Sequence, residues 1–99
     1  MNVIIKLDKE YDPKEVSETI ESIFTEKASF AEYKVKQYRT SCEKYEKKYK
    51  LKSDEFFKKF EAGELGDGQQ YFDWFAAKQG LKIWLHKYNI LKGISISGN

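Results

Sequence analysis

The sequence predicts a mainly α-helical fold: a helical hairpin or bundle of about four helices, with a short N-terminal β-strand and a candidate C-terminal edge strand. Two segments carry apolar residues at helical spacing, one in the first half of the chain and one in the second. Alternating or β-branched strand patterns occur only near the two ends. The 99 residues fit a single helical domain, 1–99.

Composition limits what the protein can be. Hydrophobic residues make up 40% of the chain, charged residues 34% and aromatic residues 16%. A chain this short buries a smaller share of its surface than a larger domain does, so we expect a thin core that is completed by a homodimer or a protein partner. A single cysteine, Cys42, excludes an internal disulfide and a thiolate zinc cluster. Without a signal peptide or an apolar membrane segment, we expect a cytoplasmic protein with no membrane contact.

Charge is unevenly distributed along the sequence. Residues 1–33 carry four lysines against eight acids, residues 34–59 carry ten basic residues against four acids, and residues 60–99 carry four of each. The basic middle would attract phosphates, but it contains the only arginine, and direct reading of guanine usually uses arginine. Nucleic acid is therefore the less favoured partner. Its candidate phosphate contacts are Lys34, Lys36, Arg39, Lys44, Lys47 and Lys48.

The first elements follow from local signals. Residues 2–7 are rich in β-branched residues and predict a short strand. A helix is then expected to begin with Asp12 as its N-cap, Pro13 at its first position and Glu15 in its first turn. It should run for about three turns and bury its apolar residues Val16, Ile20, Ile23 and Phe24.

A seam with a heptad period is the most regular feature of the sequence. It alternates intervals of four and three through Phe24, Ala28, Ala31, Val35, Tyr38, Cys42, Tyr45 and Tyr49. Such a seam either packs inside the protein or its own dimer, or is reserved for a different protein. The candidate oligomer contacts are Val35, Tyr38, Cys42, Tyr45 and Tyr49. With the tyrosines in the seam, the interleaved lysines should face solvent.

A short helix is expected to follow, with Ser53 as its N-cap and Gly63 as a left-handed terminator. Its apolar residues are Phe56, Phe57 and Phe60. The glycine-rich stretch 63–68 predicts a loop with Leu65 as its buried anchor.

The last long helix should run from about residue 69 to residue 92, with Asp67 as a candidate cap. Gly80 in its middle costs roughly 1 kcal/mol relative to alanine. This position indicates either a close helix crossing or a tolerated weakness. The tail, residues 93–99, alternates apolar and polar residues, so it either pairs as an edge strand with residues 2–7 or is frayed.

No set of residues predicts catalysis, a cofactor or a metal site. His86 is the only histidine, and it fits a surface or boundary position on an aromatic helix. The carboxylate pair Asp54 and Glu55 is explained by the helix dipole, and the pair Glu64 and Asp67 by loop solvation. Residues 63–68 lack both the lysine and the preceding strand of a nucleotide-binding loop.

One block of the sequence resembles a known group. Residues 45–67 contain YEKKYKLKSDEFFKKFEAGELGD, and residues 71–74 contain YFDW. This combination is similar to a recurrent block in small prokaryotic proteins, many of them presumed antitoxins encoded beside a small toxin. The chain differs from that pattern at Lys50, where relatives tend to have glycine, and at Gln69 and Gln70, which replace a more acidic stretch.

The resemblance implies a non-catalytic antitoxin-like component of a type II toxin–antitoxin pair, which covers the toxin with aromatic helix faces. Tryptophan and tyrosine dominate binding hot spots, so aromatic residues are the candidate core and partner anchors. They are Phe56, Phe57, Phe60, Trp74, Trp84 and Tyr88. The alternatives are a phosphate-directed nucleic-acid-binding protein and a self-assembling structural module held by the seam.

Overall fold

Three helices form an elongated hairpin in the computed structural model, which describes residues 3–95. They are α1 (Pro13–Tyr49), α2 (Ser53–Glu61) and α3 (Gln69–Lys92). α1 and α3 run antiparallel and make the main contact, while α2 packs at the end where the chain reverses. The molecule measures 59 × 23 × 19 Å. The mainly helical prediction is confirmed, but three helices are present in the described range instead of about four.

The first helix is longer than the sequence indicated. The three-turn helix and the seam helix are one continuous element, because no proline or glycine interrupts residues 14–49 and their apolar stripes join at Phe24. The start was predicted correctly. The carboxylate of Asp12 accepts a hydrogen bond from the backbone N–H of Lys14 at 3.1 Å, and Pro13 occupies the first helical position.

The predicted N-terminal strand is wrong over the described residues. Residues 3–7 form no strand, and every residue from 3 to 15 is exposed. A strand needs a neighbour for its backbone hydrogen bonds, and no other segment between residues 3 and 95 pairs with this one. Ile94 and Ser95, the described part of the tail after Gly93, are likewise not in a strand; residue 2 and residues 96–99 lie outside the described part of the chain.

α1 ends in a left-handed cap at Lys50, which has φ 52° and ψ 46°. The backbone N–H groups of Lys50 and Leu51 both donate to the carbonyl oxygen of Glu46. Positive φ at a residue with a Cβ costs roughly 1–2 kcal/mol relative to glycine. The lysine that departs from the resembled block therefore stands where the backbone favours glycine.

We expect Lys50→Gly to raise the free energy of unfolding by about 0.5–1 kcal/mol, because glycine adopts this conformation without a steric penalty. The melting temperature should rise by about 4 °C. Lys44→Gly, at an exposed interior position of the same helix, is the matched control and should lower stability by roughly 1 kcal/mol. Thermal unfolding followed by circular dichroism measures both, and a Lys50→Gly variant no more stable than wild type would contradict the expectation.

The start of α2 differs from its prediction, because Ser53 is not its N-cap. Lys52 occupies that position and makes no side-chain cap. The Glu46 carboxylate on α1 instead accepts the Ser53 backbone N–H at 2.7 Å. The hydroxyl of Ser53 is engaged elsewhere, since it accepts a hydrogen bond from the indole N–H of Trp74 at 2.9 Å. The Ser53 side chain therefore binds Trp74 of α3 and does not cap α2.

The end of α2 agrees with prediction. Gly63 has φ 74°, its N–H donates to Phe60, and the N–H of Glu64 donates to Lys59 at 3.0 Å. These are the two bonds of a Schellman motif. In the loop, Leu65 is half-buried, whereas Asp67 does not cap α3, whose N-cap is Gly68.

A salt bridge from the Asp54 carboxylate links α2 to α3. The Lys78 ammonium lies 2.6 Å from it. The hydrogen bond from this ammonium, together with its positive charge, lowers the pKa of the Asp54 carboxyl below its ordinary value. Its role in the fold is therefore to hold the start of α2 beside α3.

The core is thin, as expected. Its large fully buried side chains within the described range are Trp74 and Phe56. The other buried residues are Ala31, Val35, Cys42, Ser53 and Ala77.

The two long helices approach closely at Gly80. A Cβ added to Gly80 would lie 2.5 Å from the Cε1 atom of Tyr38. The close crossing at Gly80 is confirmed, since the tyrosine ring rests directly on the glycine.

Candidate protein-docking surfaces

Two of the predicted partner anchors are core residues. The Trp74 ring stacks on Phe56 with centroids 3.9 Å apart and planes 4° apart, and it also stacks on Tyr45 and Tyr49. Phe56 is 0% exposed and Trp74 1% exposed. Both residues are covered by all three helices, so they hold the fold together and offer no surface to a partner.

The other four predicted anchors keep part of their surface. Phe57 and Phe60 are half-buried and stack on Phe75, with centroids 5.2 and 5.0 Å away. Trp84 is half-buried with its ring edge-on to Phe30 at 5.4 Å. The fourth, Tyr88, lies near the C-terminal end of α3 and is also half-buried. These rings combine packing with partial exposure.

The heptad seam packs inside the chain. Val35 and Cys42 are buried, Tyr38 contacts Gly80, and Tyr45 and Tyr49 stack on Trp74. The seam assigned to an oligomer is therefore an intrachain interface with α3 and is not free to receive a second copy. Any homodimer has to use other surfaces.

The basic residues of α1 lie on its solvent side. Lys36, Arg39, Lys44, Lys47 and Lys48 are exposed, and Lys34 is partly covered, with its Nζ atom 5.6 Å from the Phe30 ring centroid. The predicted separation, with seam tyrosines inward and lysines outward, is confirmed. The tyrosines therefore do not form a base-stacking platform beside these lysines.

Cys42 and His86 are the single cysteine and the single histidine of the chain, and the structure places both. The thiol of Cys42 is buried, and this burial raises its pKa above the ordinary value, an effect partly offset by the Ser53 hydroxyl. His86 is exposed, as the sequence predicted. Over residues 3–95, no group of three or more His, Cys, Asp or Glu side chains is placed to hold a metal ion.

We expect the Cys42 thiol of the native protein to resist alkylation. Its raised pKa leaves a smaller thiolate fraction at every pH below that pKa, and burial blocks the reagent. Reaction with iodoacetamide at pH 8 should be slower than in denaturant by on the order of ten-fold or more. The rate should rise only at a higher pH than for the denatured chain; equal rates in both states would contradict this expectation.

Sequence reasoning missed an exposed apolar surface on α3, here called the outer face of α3 and defined by Phe72, Ala76, Ile83 and Ile90. Phe72 is 47% exposed, Ile83 51% and Ile90 52%. Their spacing of four and seven places them on one side of the helix, opposite the side that packs on α1. The signal was present, because α3 carries apolar residues all round.

A groove between the long helices adjoins this face. The α1/α3 groove has a volume of about 410 Å³ and an apolar floor with lysines at its rim. The Nζ atom of Lys87 lies 4.8 Å from the Trp84 ring centroid. Residues 74–95 contain four lysines and no acid, so the α3 side of the groove is positively charged. The groove residues are Lys27, Phe30, Trp84, Lys87, Ile90 and Leu91.

A third apolar surface lies at the N-terminal end. Residues 3–11, here called the N-terminal arm, pass over the start of α1, where the arm borders a shallow groove with Val16 and Ile20. The apolar side chains of the arm remain largely uncovered, with Val3 79% exposed and Ile4 78% exposed. The acids around them include Asp8 and Glu10.

The described residues form a small helical hairpin that exposes apolar faces with lysines at the rim of one groove. Among residues 3–95, no helix combines the length and hydrophobicity that a membrane crossing requires. Comparison with protein-family models, curated proteins and solved structures finds no match to the chain.

Proposed function

We propose that this protein is a non-catalytic protein-binding module, and that it is the antitoxin-like component of a toxin–antitoxin pair, masking a small toxin. The single observation that supports protein binding best is the outer face of α3. The antitoxin assignment is drawn from the resemblance of residues 45–67 and 71–74 to the block in presumed antitoxins.

The physical argument rests on the two apolar sides of one helix. A surface helix normally carries one apolar stripe, and a helix that is apolar all round is normally buried. α3 packs one side on α1 and leaves Phe72, Ile83 and Ile90 about half exposed on the other. A complementary amphipathic segment laid along these positions would cover them, as in helix-in-groove recognition.

Charge defines the chemistry of the partner segment. The helix from Trp74 onward carries lysines and no acid, and Lys82 and Lys87 flank Ile83 and Ile90 on the exposed surface. Complementary potentials set specificity and steer association. The occupant is therefore a segment of the toxin with an apolar ridge and an acidic border. The half-exposed rings of Phe60 and Trp84 supply aromatic contacts near this surface.

The test is co-expression with the product of the adjacent reading frame. Wild type should form a stable complex and relieve toxicity. Phe72→Asp and Ile83→Asp should each weaken binding by about thirty-fold or more, the effect of losing one hot spot of about 2 kcal/mol. Tyr33→Asp, at a 58% exposed ring on α1, is the matched control and should bind as wild type does.

Two results would count against the proposal. Recovery of free protein with undiminished toxicity would remove the antitoxin function. A complex unaffected by Phe72→Asp and Ile83→Asp would remove the outer face of α3 as the docking surface. Circular dichroism of each variant establishes that the helices remain.

Nucleic-acid binding is the second candidate, favoured by the exposed lysines and Arg39 of α1. Because the tyrosine rings pack inward, the lysines and Arg39 would contact the phosphates of the nucleic acid. Binding would then release counterions. Affinity for a duplex should then fall steeply between about 50 and 200 mM salt. Replacing Lys44 and Lys48 by glutamate should weaken binding for all sequences alike, whereas a flat salt response would eliminate this candidate.

A further inference from the structure

We propose that the α1/α3 groove receives one amphipathic helix of the partner protein, with an acidic side chain of that helix held between Lys27 and Lys87. The groove adjoins the outer face of α3, so this site rests on the proposed protein-binding function. It specifies the form of the partner segment and its central charge, and it does not require that the partner be a toxin.

The two walls of the groove carry the same residue pattern. Each wall has an apolar residue, a lysine four residues later and a second apolar residue three residues after that. These intervals place the three residues of each wall on one side of their helix. The four apolar side chains are each about half exposed. The pattern consists of Ile23, Lys27 and Phe30 on α1 and of Ile83, Lys87 and Ile90 on α3.

The antiparallel register brings the two lysines level with each other. The Phe30 ring meets Trp84 edge-on with centroids 5.4 Å apart, and this intrachain contact forms the floor of the groove. Three residues back along α1 and three forward along α3 from this contact lie Lys27 and Lys87, and both line the groove. The apolar residues of each wall therefore lie about one helical turn on either side of the lysine pair.

The lysine pair selects a negatively charged occupant. Lys27 and Lys87 line the groove together with apolar residues and no acid; Glu26, next to Lys27 in sequence, is not among the lining residues. The Lys87 ammonium lies 4.8 Å from the Trp84 ring centroid, which holds this charge at the floor. Neither lysine is in a salt bridge within residues 3–95. Because neighbouring like charges repel, an acidic side chain placed between them is stabilised by both.

The spacing of the walls indicates that the occupant is a helix. The two apolar residues of each wall are seven residues apart, which is about 10.5 Å along a helix and one heptad of a third helix packed beside the first two. A strand repeats its side chains about every 6.6 Å and does not match this distance. The occupant therefore carries an acid at its centre and apolar residues three or four positions away on each side.

The test uses a synthetic peptide of about 18 residues held helical by a side-chain staple, because short isolated helices are marginal in water. It has glutamate at its centre and leucine three and four residues away on each side. A second peptide has lysine in place of this glutamate. Titration of the glutamate peptide into the isotope-labelled full chain should shift the amide NMR signals of Lys27, Phe30 and Lys87. The lysine peptide should bind at least about thirty-fold more weakly.

Reversing the charge of the groove by Lys27→Glu with Lys87→Glu should exchange this preference, so that the lysine peptide binds and the glutamate peptide does not. Lys47→Glu with Lys59→Glu is the matched control. It changes the net charge equally at exposed residues that do not line the groove, and it should keep the preference of wild type. Circular dichroism establishes that the helices remain in both variants. A glutamate peptide that does not bind wild type, or equal binding of the two peptides, would overturn the proposal.

The adjacent reading frame's product separates this site from the proposed function. A complex weakened by Phe72→Asp but unchanged by Lys27→Glu with Lys87→Glu would leave the proposed function standing and overturn the helix site. Selective binding of the glutamate peptide without any complex with that product would support the helix site and remove the antitoxin assignment.

Discussion

Phe56→Ala is expected to lower the free energy of unfolding by about 3–5 kcal/mol, the usual cost of removing a fully buried phenylalanine. The ring is 0% exposed and lies flat on Trp74 at a centroid distance of 3.9 Å. It also contacts Phe60 and Tyr71. Its loss would leave a cavity under the indole that three rigid helices are poorly placed to fill. A domain of this size has only about 5–15 kcal/mol of stability, so this loss would remove a large share of it.

Urea unfolding followed by both circular dichroism and tryptophan fluorescence measures this effect. Phe72→Ala is the matched control: the same residue type on α3 is 47% exposed, and its replacement should cost much less than that of Phe56. Phe57→Ala, at a half-buried ring, should fall between the two. Equal losses for Phe56→Ala and Phe72→Ala would show that the buried stack does not dominate the core.

The features that sequence predicted well are those set by neighbouring residues. The start of α1 follows from Asp12 and Pro13, and the end of α2 follows from Gly63, because each depends on bonds within one or two turns. The heptad seam was recognisable because periodicity along one helix does not require knowledge of its neighbour. The strand predicted at residues 3–7 does not form, because a strand depends on a distant partner. β-branched residues favour the extended conformation but do not supply a neighbouring strand to pair with.

The candidate site could be predicted only by residue type. Sequence placed Phe56, Phe57 and Phe60 together as anchors, but it could not decide which ring is buried. That choice depends on how α2 docks, which is fixed by Ser53 bonding to Trp74, 21 residues away, and by Asp54 pairing with Lys78. Such contacts leave no periodic signature in a single sequence.

The missed surface did leave a signature. Phe72, Ile83 and Ile90 recur on a second side of α3. The stronger apolar stripe of this helix, which packs on α1, masks the weaker one. Because α3 packs mainly on α1, its second apolar stripe remains exposed.

Gly80→Ala is expected to lower the free energy of unfolding by about 1–3 kcal/mol, although alanine is the better helix former. The new Cβ would lie 2.5 Å from Cε1 of Tyr38, closer than real Cβ contacts allow. Because the ring is held between the two long helices, relief requires the tyrosine to change rotamer or the helices to separate. Overpacking at this crossing outweighs the propensity gain of roughly 1 kcal/mol.

A double-mutant cycle separates the two effects. In a Tyr38→Ala background the ring is absent, so Gly80→Ala should raise the free energy of unfolding by about 0.5–1 kcal/mol through helix propensity alone. The same substitution thus changes sign with the identity of its neighbour. Chemical denaturation of the four proteins measures the coupling. If Gly80→Ala stabilised the protein in both backgrounds, glycine would be a mere weakness in α3 and the close crossing would not constrain the hairpin.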